Sequence, residues 1–596
     1  MSNFTSAHTR EMARFLRDLR DLVLHETAAQ RHQVHAQWQK PLAARVADGY
    51  AIENVRLGEL HSRNRLELTC GRNRSRFRPG DILCLSHDDP FNPYAVMVNL
   101  EEDDETRLVI SCEQIVPWEQ LFATECTLDI GFVDLSDYVI GALAEVGDSL
   151  VGRERILPLL LGLRQPTIDP GLYERGLAMG EALKLNDKQS EALANAYATD
   201  LAYLVQGPPG TGKTRVLATL AHALAADGER VLICSFTHRA INNALNTLVE
   251  EAPDLPVGKI GRHTRADDLK ANNYETFNES PLAEERGGYV VGATPFATRT
   301  KRLENVEFDT VIFDEASQIT LPLAVMGMLA GQKYIFFGDQ QQLPPVLTKR
   351  LTGGALRDSV FGYLVDNNFD TMLQATYRMN EALTEWPSQH FYDGLLKANA
   401  EVAHRRIEYP APPTRLAHIL DPDTPKVFWD LGHHNNTVYS QKEAYAVVDL
   451  ITTLLACGFA AEEIGVVAPY RAQGRLIRNL LREYVPETAV RRQLITDTVE
   501  RMQGQERDLI ILSLTTSNPG FAANLADFFF QPQRLNVAIT RPRKKLIIVG
   551  SRFVLNAQPN DPALQETVAL LDSLLQSCLY IPYTHNAAPQ VWPSEW

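Results

Sequence analysis

The residues Gly207-Pro-Pro-Gly-Thr-Gly-Lys-Thr214 have the phosphate-binding spacing G-x-x-x-x-G-K-[ST]. Gly207, Gly210 and Gly212 let successive backbone N–H groups, that of Thr211 included, converge on phosphate oxygens, and the start of the following helix adds partial positive charge. Lys213 is placed to hold the β- and γ-phosphates of a nucleotide, and Thr214 to ligate Mg²⁺. A second motif, Asp314-Glu-Ala-Ser-Gln318, closes the apolar run Thr310-Val-Ile-Phe313. Adjacent carboxylates at a strand end divide the labour: Asp314 to hold the metal, Glu315 to accept a proton from attacking water. In isolation, the plainer readings are a Gly-rich turn and an acidic pair on a solvated loop. Together, in this order, the motifs point to a nucleoside triphosphatase and to nothing finer.

Such motifs need a parallel sheet to hold them. From Leu201 onward, short buried β-type runs alternate with helical segments, which predicts parallel sheets covered by helices on both faces. Ala202–Gln206, Val231–Cys234, Thr310–Phe313 and Tyr334–Phe337 read as strands of one sheet; Ile464–Val467, Asp508–Ser513 and Leu546–Val549 imply another. Val216, Leu217, Leu220 and Leu224 share one face of a helix that follows Thr214 and ends near Gly228. Upstream, Ala7 to about Ala44 reads as one long amphipathic helix. Short alternating runs between Tyr50 and Cys126 read as a compact β-barrel, and Ser136 to Leu163 as a second helical stretch before a linker ending at Pro170. The expected division is a stalk helix over 1–49, a barrel over 50–126, a second stalk segment over 127–165, a first α/β domain over 166–356 with a small insertion at about 250–288, and a second α/β domain over 357–596. The tail after Ser551 carries no readable chemistry.

Composition narrows the class. A length of 596 residues allows about four structural units, and 45% hydrophobic residues exclude wholesale disorder. The longest apolar stretches fall short of the ~20 residues that cross a bilayer, and the chain begins without an apolar signal core, so no membrane association is expected. Seven scattered cysteines without close pairs argue against a zinc or iron–sulfur site and for reduced thiols, in the cytoplasm or on the nucleoid. A net charge of −16 argues against coating nucleic acid by bulk charge and leaves a local groove open.

Finer motifs appear in a fixed order: Leu185-Asn-Asp-Lys-Gln189, the P-loop, Cys234-Ser-Phe-Thr-His238, Asp314–Gln318, Gly338-Asp-Gln-Gln-Gln-Leu-Pro-Pro345, Thr376-Tyr-Arg-Met-Asn380, Val467-Ala-Pro-Tyr470, Thr498-Val-Glu-Arg-Met-Gln-Gly-Gln-Glu506 and Leu535-Asn-Val-Ala-Ile-Thr-Arg541. From about Leu185 to Gly550 the chain resembles the superfamily-one helicases, in the 5′-to-3′ branch that contains the nonsense-mediated-decay helicase and the replication nuclease-helicase. The resemblance implies two RecA-like domains that use ATP and Mg²⁺. It implies that Gln189 reads the adenine edge, Tyr377 stacks on the base, Glu506 meets the ribose and Gln342 senses the γ-phosphate. Arg378 and Arg541, both from the second sheet, would reach across the cleft to the transferred phosphoryl group; the plain alternative for each is a surface ion pair.

The same resemblance implies a single-stranded DNA or RNA track, contacted by Thr237, Thr294 and Thr498, each of which reads equally well as a helix cap or turn residue. His238 and Arg239 make the Thr237 loop the strongest of the three. Thr237-His238 and Met379-Asn380 lean toward the DNA branch. The barrel and stalk resemble those that precede the motor in this branch. Arg63, Arg65, Arg72, Arg74, Arg76 and Arg78 form either a phosphate track or a solvated loop face, and Lys259, Arg262 and Arg265 fall in a small helical insertion. There are departures. No zinc module or nuclease motif is recognisable, which leaves nuclease activity or recruitment to a protein partner, and Pro542 stands where the family commonly has a small residue. The expected function is an ATP-dependent helicase or translocase; the alternative is an ATP-gated clamp or remodeller that does not separate strands. Lys213→Ala is expected to abolish ATP hydrolysis, whereas Glu315→Gln should bind ATP without turning it over. Phosphate release and nucleotide titration check both, and wild-type hydrolysis in either variant would refute the site assignment.

Overall fold

Pro41 lacks a backbone N–H and cannot continue a helix, and the N-terminal helix accordingly ends before it, running Ser6–Trp38, with a separate short helix Leu42–Ala47 beyond. The expectation of one helix to Ala44 is corrected by that break. The computed structural model describes residues 6–583, without residues 72, 74, 104–105, 113, 263–265, 267, 349–357 and 366. Arg72, Arg74 and Arg265, singled out above, lie outside the described residues, as does the expected junction at 356.

Six antiparallel strands close into a barrel in the order Ala51–Ser62, Arg65–Thr69, Arg107–Ser111, Val96–Asp103, Ile82–Ser86, Cys126–Ile130. Alternate residues such as Leu66, Leu68, Leu108 and Ile110 fill its interior. The stalk is not a free arm. Met12, Phe15 and Leu19 pack with Val139, Leu143 and Val146 of helix Ser136–Asp148 into the core of the first sheet.

That first sheet has eight parallel strands, ordered Asn272–Tyr274, Val257–Ile260, Tyr289–Ala293, Arg230–Cys234, Thr310–Phe313, Lys333–Gly338, Ala202–Gln206, Asp370–Met372. Strand Asp370–Met372 pairs with Leu204–Gln206, and Val360, Phe361, Leu364, Phe369 and Leu373 enter the same core, so the first sheet draws on residues well past 356. The expected helical insertion is also corrected: within 250–288 the chain forms strands Val257–Ile260 and Asn272–Tyr274, which extend the first sheet at its edge. Six parallel strands make the second sheet, ordered Ile495–Thr498, Ile464–Ala468, Arg507–Ser513, Pro542–Gly550, Lys426–Asp430, Leu579–Pro582. Its residues alternate between two cores, Ile510, Leu512 and Ile548 on one face and Leu509, Ile511 and Ile547 on the other. The tail after Ser551 supplies helix Pro562–Gln576 and the edge strand Leu579–Pro582.

Arg45 pins the stalk to the barrel. Its guanidinium donates to the carbonyls of Trp38 (3.1 Å) and Asp88 (2.9 Å) and pairs with Asp129 at 2.8 Å, both side chains being buried. Burial pushes the Asp129 carboxyl up to about 6 against the pull of Arg45. Removing one partner of a buried pair costs about 3–5 kcal/mol. Because an Asp with a raised folded-state pKa favours the fold while protonated and loses that contribution as pH rises, the deficit of Arg45→Ala should be smaller at pH 5 than at pH 8. Urea denaturation followed through Trp118 fluorescence in the barrel measures both quantities.

Candidate active site

The P-loop leaves strand Ala202–Gln206 and enters helix Lys213–Ala226. Gly210 and Gly212 have φ of +74° and +78°, the left-handed region that glycine tolerates at no steric cost. A Cβ on Gly210 would also lie 2.4 Å from Arg378 Cβ, and one on Gly212 would lie 2.6 Å from Gln189 Nε2. The loop is braced from outside. Tyr377 N donates to Gly210 O (2.8 Å), Thr376 Oγ1 to Pro209 O (2.8 Å) and Gln189 Nε2 to Thr211 O (3.0 Å).

Lys213 Nζ lies 2.9 Å from Asp314 Oδ1 and 2.9 Å from Glu315 Oε1. Consecutive residues of a strand point to opposite faces, so two adjacent carboxylates meet one ammonium only if the backbone turns. It does so at Glu315, whose φ of +52° costs about 1–2 kcal/mol for a residue with a side chain. Burial disfavours the Lys213 charge, but Asp314 and Glu315 outweigh it and raise its pKa. Burial also pushes Asp314 up, with Glu315 adding to the shift, whereas for Glu315 burial is overcome by Lys213, by Gln503 and by Arg541, which hold it below the ordinary range. Glu315 is therefore ionised at neutral pH.

The opposite wall comes from the second sheet and from the crossover between the sheets. Gln503 Nε2 donates to Glu315 Oε2 (3.1 Å), a direct bond across the cleft. Arg541 follows helix Pro532–Ile539 and immediately precedes strand Pro542–Gly550, so the helix stops before the residue that precedes proline. Its guanidinium is buried, donates to Val537 O (2.8 Å) and Thr540 Oγ1 (3.1 Å), and is pushed down to about 9 by burial and by Arg378. Arg378 pairs with Glu506 and donates to Thr540 O (3.1 Å). It does not belong to the second sheet, contrary to expectation. It follows the two-residue strand Ala375–Thr376, which pairs with Lys397–Ala398 in a separate ribbon.

One cleft of about 800 Å³ gathers Gly207, Gly210, Thr211, Gly212, Lys213, Thr214, Asp314, Glu315, Gln342, Tyr377, Arg378, Glu506 and Arg541, together with Thr237 and His238. Gln189 does not line it. It is buried, accepts from Asn186 N (3.1 Å) in a helix-capping box, and braces the P-loop. Thr294 and Thr498 also lie off the cleft wall, each at the start of a short helical turn. Thr237 caps helix His238–Glu251 by accepting from Ala240 N (3.3 Å). Gln503 and Asn186, whose Nδ2 donates to Tyr377 OH (2.9 Å), received no role from sequence although both sit inside the ordered motifs.

Of the barrel arginines, Arg65, Arg76 and Arg78 meet different partners. Arg65 pairs with Glu101 and Glu102, Arg76 lies over the Tyr50 ring, and buried Arg78 pairs with Asp497 on the edge strand of the second sheet. Arg501 Nη2 donates to Pro79 O (3.0 Å) and Arg471 Nη1 to Arg76 O (2.9 Å) across the same seam. These contacts seat the barrel on the second sheet.

A P-loop and strand-end carboxylates on one parallel sheet, facing an arginine beside a second parallel sheet, define a two-domain architecture of the P-loop nucleotide-binding class. A family described as an AAA domain matches residues 184–287 and 285–350, and a second AAA domain family matches residues 356–553. The two matches fall one on each α/β unit of the chain, so each unit is similar to an AAA domain. The chain is 29% identical over 469 residues to the DNA replication ATP-dependent helicase/nuclease DNA2 of Mus musculus, covering 70% of this chain and 42% of that protein. It is 28% identical over 433 residues to the Regulator of nonsense transcripts 1 homolog of Arabidopsis thaliana, covering 63% and 33%. It thus spans less than half the length of these relatives. Among solved structures, the Arterivirus nonstructural protein 10 (helicase) aligns over 89% of this chain and 82% of that one, with 14% identity and a TM-score of 0.37.

Arg541→Ala is expected to lower kcat for ATP by about 10³-fold or more with little change in ATP affinity, as for a group that acts on the transition state. Pro542→Ala should cost about tenfold or less. Steady-state phosphate release checks the pair. An unchanged kcat in Arg541→Ala would remove the finger role, and equal damage from Pro542→Ala would make aiming by proline essential.

Proposed function

We propose that this chain couples ATP hydrolysis to 5′-to-3′ movement along single-stranded nucleic acid, DNA in preference to RNA, and separates strands as it moves. The observation that carries the reading is the bond from Gln503 to Glu315 across a cleft whose other residues are the P-loop, Asp314, Gln342, Arg378 and Arg541. A nucleotide bound there touches both sheets, so the loss of its γ-phosphate changes how the sheets are held together.

The residues fit ATP and Mg²⁺. The P-loop is pressed so closely by Arg378 and Gln189 that a Cβ at Gly210 or Gly212 would collide with them, and Thr214 and Asp314, both on the cleft wall, offer the oxygen donors that magnesium prefers. Bound magnesium supplies neutralisation of phosphate charge. Lys213 exchanges its carboxylate partners for phosphate oxygens, Glu315 orients water and accepts its proton, and Arg378 and Arg541 stabilise charge on the transferred group. Tyr377, on the cleft wall, stacks on the base. Thr237, Thr294 and Thr498 lie at strand ends, where loops of parallel sheets contact ligands, and are assigned to the track. The setting is the cytoplasm or nucleoid, where cysteines such as these seven, none of them in a disulfide, stay reduced.

Matched DNA and RNA oligonucleotides should each stimulate the ATPase, DNA more strongly, and affinity should fall with salt at a log–log slope of about −0.7 per phosphate contact. Duplexes with a 5′ overhang should be unwound. A requirement for a 3′ overhang would overturn the direction, and stimulated hydrolysis without unwinding would select the clamp.

A further inference from the structure

Asp339 ends the loop side of strand Lys333–Gly338 and is buried. Its carboxylate accepts four hydrogen bonds: from Gln206 Nε2 (3.2 Å), Gln341 N (3.1 Å), Gln342 Nε2 (2.9 Å) and Tyr392 OH (2.7 Å). The donors come from separate parts of the machinery. Gln206 is the last residue before the P-loop, and Gln342 stands on the cleft wall. Tyr392 caps helix Glu381–Phe391 and packs in the core of the second sheet.

The Tyr392 hydroxyl in turn accepts from Asn536 Nδ2 (2.8 Å), which also donates to Gln341 O (2.8 Å). Asn536 lies in the helix that delivers Arg541. The backbone carbonyl of Asn536 accepts from Thr540 Oγ1 (2.7 Å), and that hydroxyl oxygen accepts from Arg541 Nη2 (3.1 Å). Joined through the covalent frame of Asn536, these bonds run from the loop after strand Lys333–Gly338 of the first sheet to the guanidinium beside the second. A phenol that donates to a carboxylate and accepts from an amide has its direction fixed at both ends, and a charged acceptor makes such bonds stronger than neutral ones.

We infer that Tyr392 and Asn536 are positioning residues that set Arg541 against Gln342 through the buried carboxylate of Asp339. This rests on the hydrolytic reading of the cleft. A network that merely glued the sheets together would affect every bound nucleotide alike; one that aims Arg541 is felt when the transition state is mimicked.

The test uses the full chain and two ligands, ADP and ADP with aluminium fluoride, the latter a mimic of the transferred phosphoryl group. Tyr392→Phe removes one oxygen and keeps the ring. It should lower kcat for ATP about tenfold with KM nearly unchanged, and weaken ADP–aluminium fluoride about tenfold while leaving ADP affinity within about twofold. Arg541→Ala should also weaken the mimic, and adding Tyr392→Phe to it should cause no further loss, because the phenol acts through the arginine. Asn536→Ala should repeat the pattern and serves if Tyr392→Phe does not fold. Wild-type kcat and mimic affinity in both variants, equal weakening of ADP and its mimic, or additive losses with Arg541→Ala would overturn the inference. If the wild-type chain does not hydrolyse ATP, the functional reading fails, and the two affinities still report on the relay.

Discussion

The ammonium of Lys213 sits within 2.9 Å of two carboxylates on one sheet, and the placement of that charge organises what surrounds it. A cation at the wall of a half-buried cleft requires anionic partners, and two of them on consecutive residues require the left-handed turn at Glu315. That turn is strained for a residue with a side chain, and Gln503 from the second sheet helps hold it by bonding to the same carboxylate. Phosphates entering the P-loop would compete for the same ammonium, so the pairing that stabilises the cleft is also the one a nucleotide rearranges.

Charge across the cleft follows the same logic from the other side. Arg541 is buried, its acceptors among the described residues are backbone and hydroxyl oxygens, and repulsion from Arg378 adds to the cost of keeping it ionised. Arg378 is answered by Glu506. An arginine that forms no ion pair at contact distance among the described residues, on the wall of the P-loop cleft, suits a ligand with negative charge. The barrel stands apart from this economy of charges and is seated on the second sheet by Arg78, Arg471 and Arg501. It is therefore tied at once to the stalk, which shares the first core, and to the second sheet.

Much of this was legible in the order of residues. The central strands were readable because they are buried on both faces and carry runs of Val, Ile, Leu and Phe, as in Thr310–Phe313 and Ile464–Ala468. The P-loop and the Asp-Glu pair were readable because phosphate and metal chemistry allow few residue types at a fixed spacing. Strands at or next to the sheet edges were not: Val257–Ile260, Asn272–Tyr274 and Leu579–Pro582 are short, and the last two are largely polar or exposed, so their pattern is that of a loop until a neighbouring strand pairs with them.

What the sequence by itself determined was local: which residues carry the phosphate-binding spacing, where strands alternate with helices, and where Pro542 ends a helix; the break at Pro41 emerged only in the structure. Only the tertiary structure decided allegiance and partnership. Arg378 belongs to a crossover ribbon and not to a sheet, Asp370–Met372 joins the first sheet after a long excursion, and the barrel arginines are divided among Glu101, Glu102, Tyr50 and Asp497. The bonds from Asp339 to Tyr392 and from Tyr392 to Asn536 join residues 53 and 144 positions apart in the chain. Hydrogen bonding and ion pairing depend on distance in space, and a linear pattern carries that only where the partners lie within a turn or two of each other.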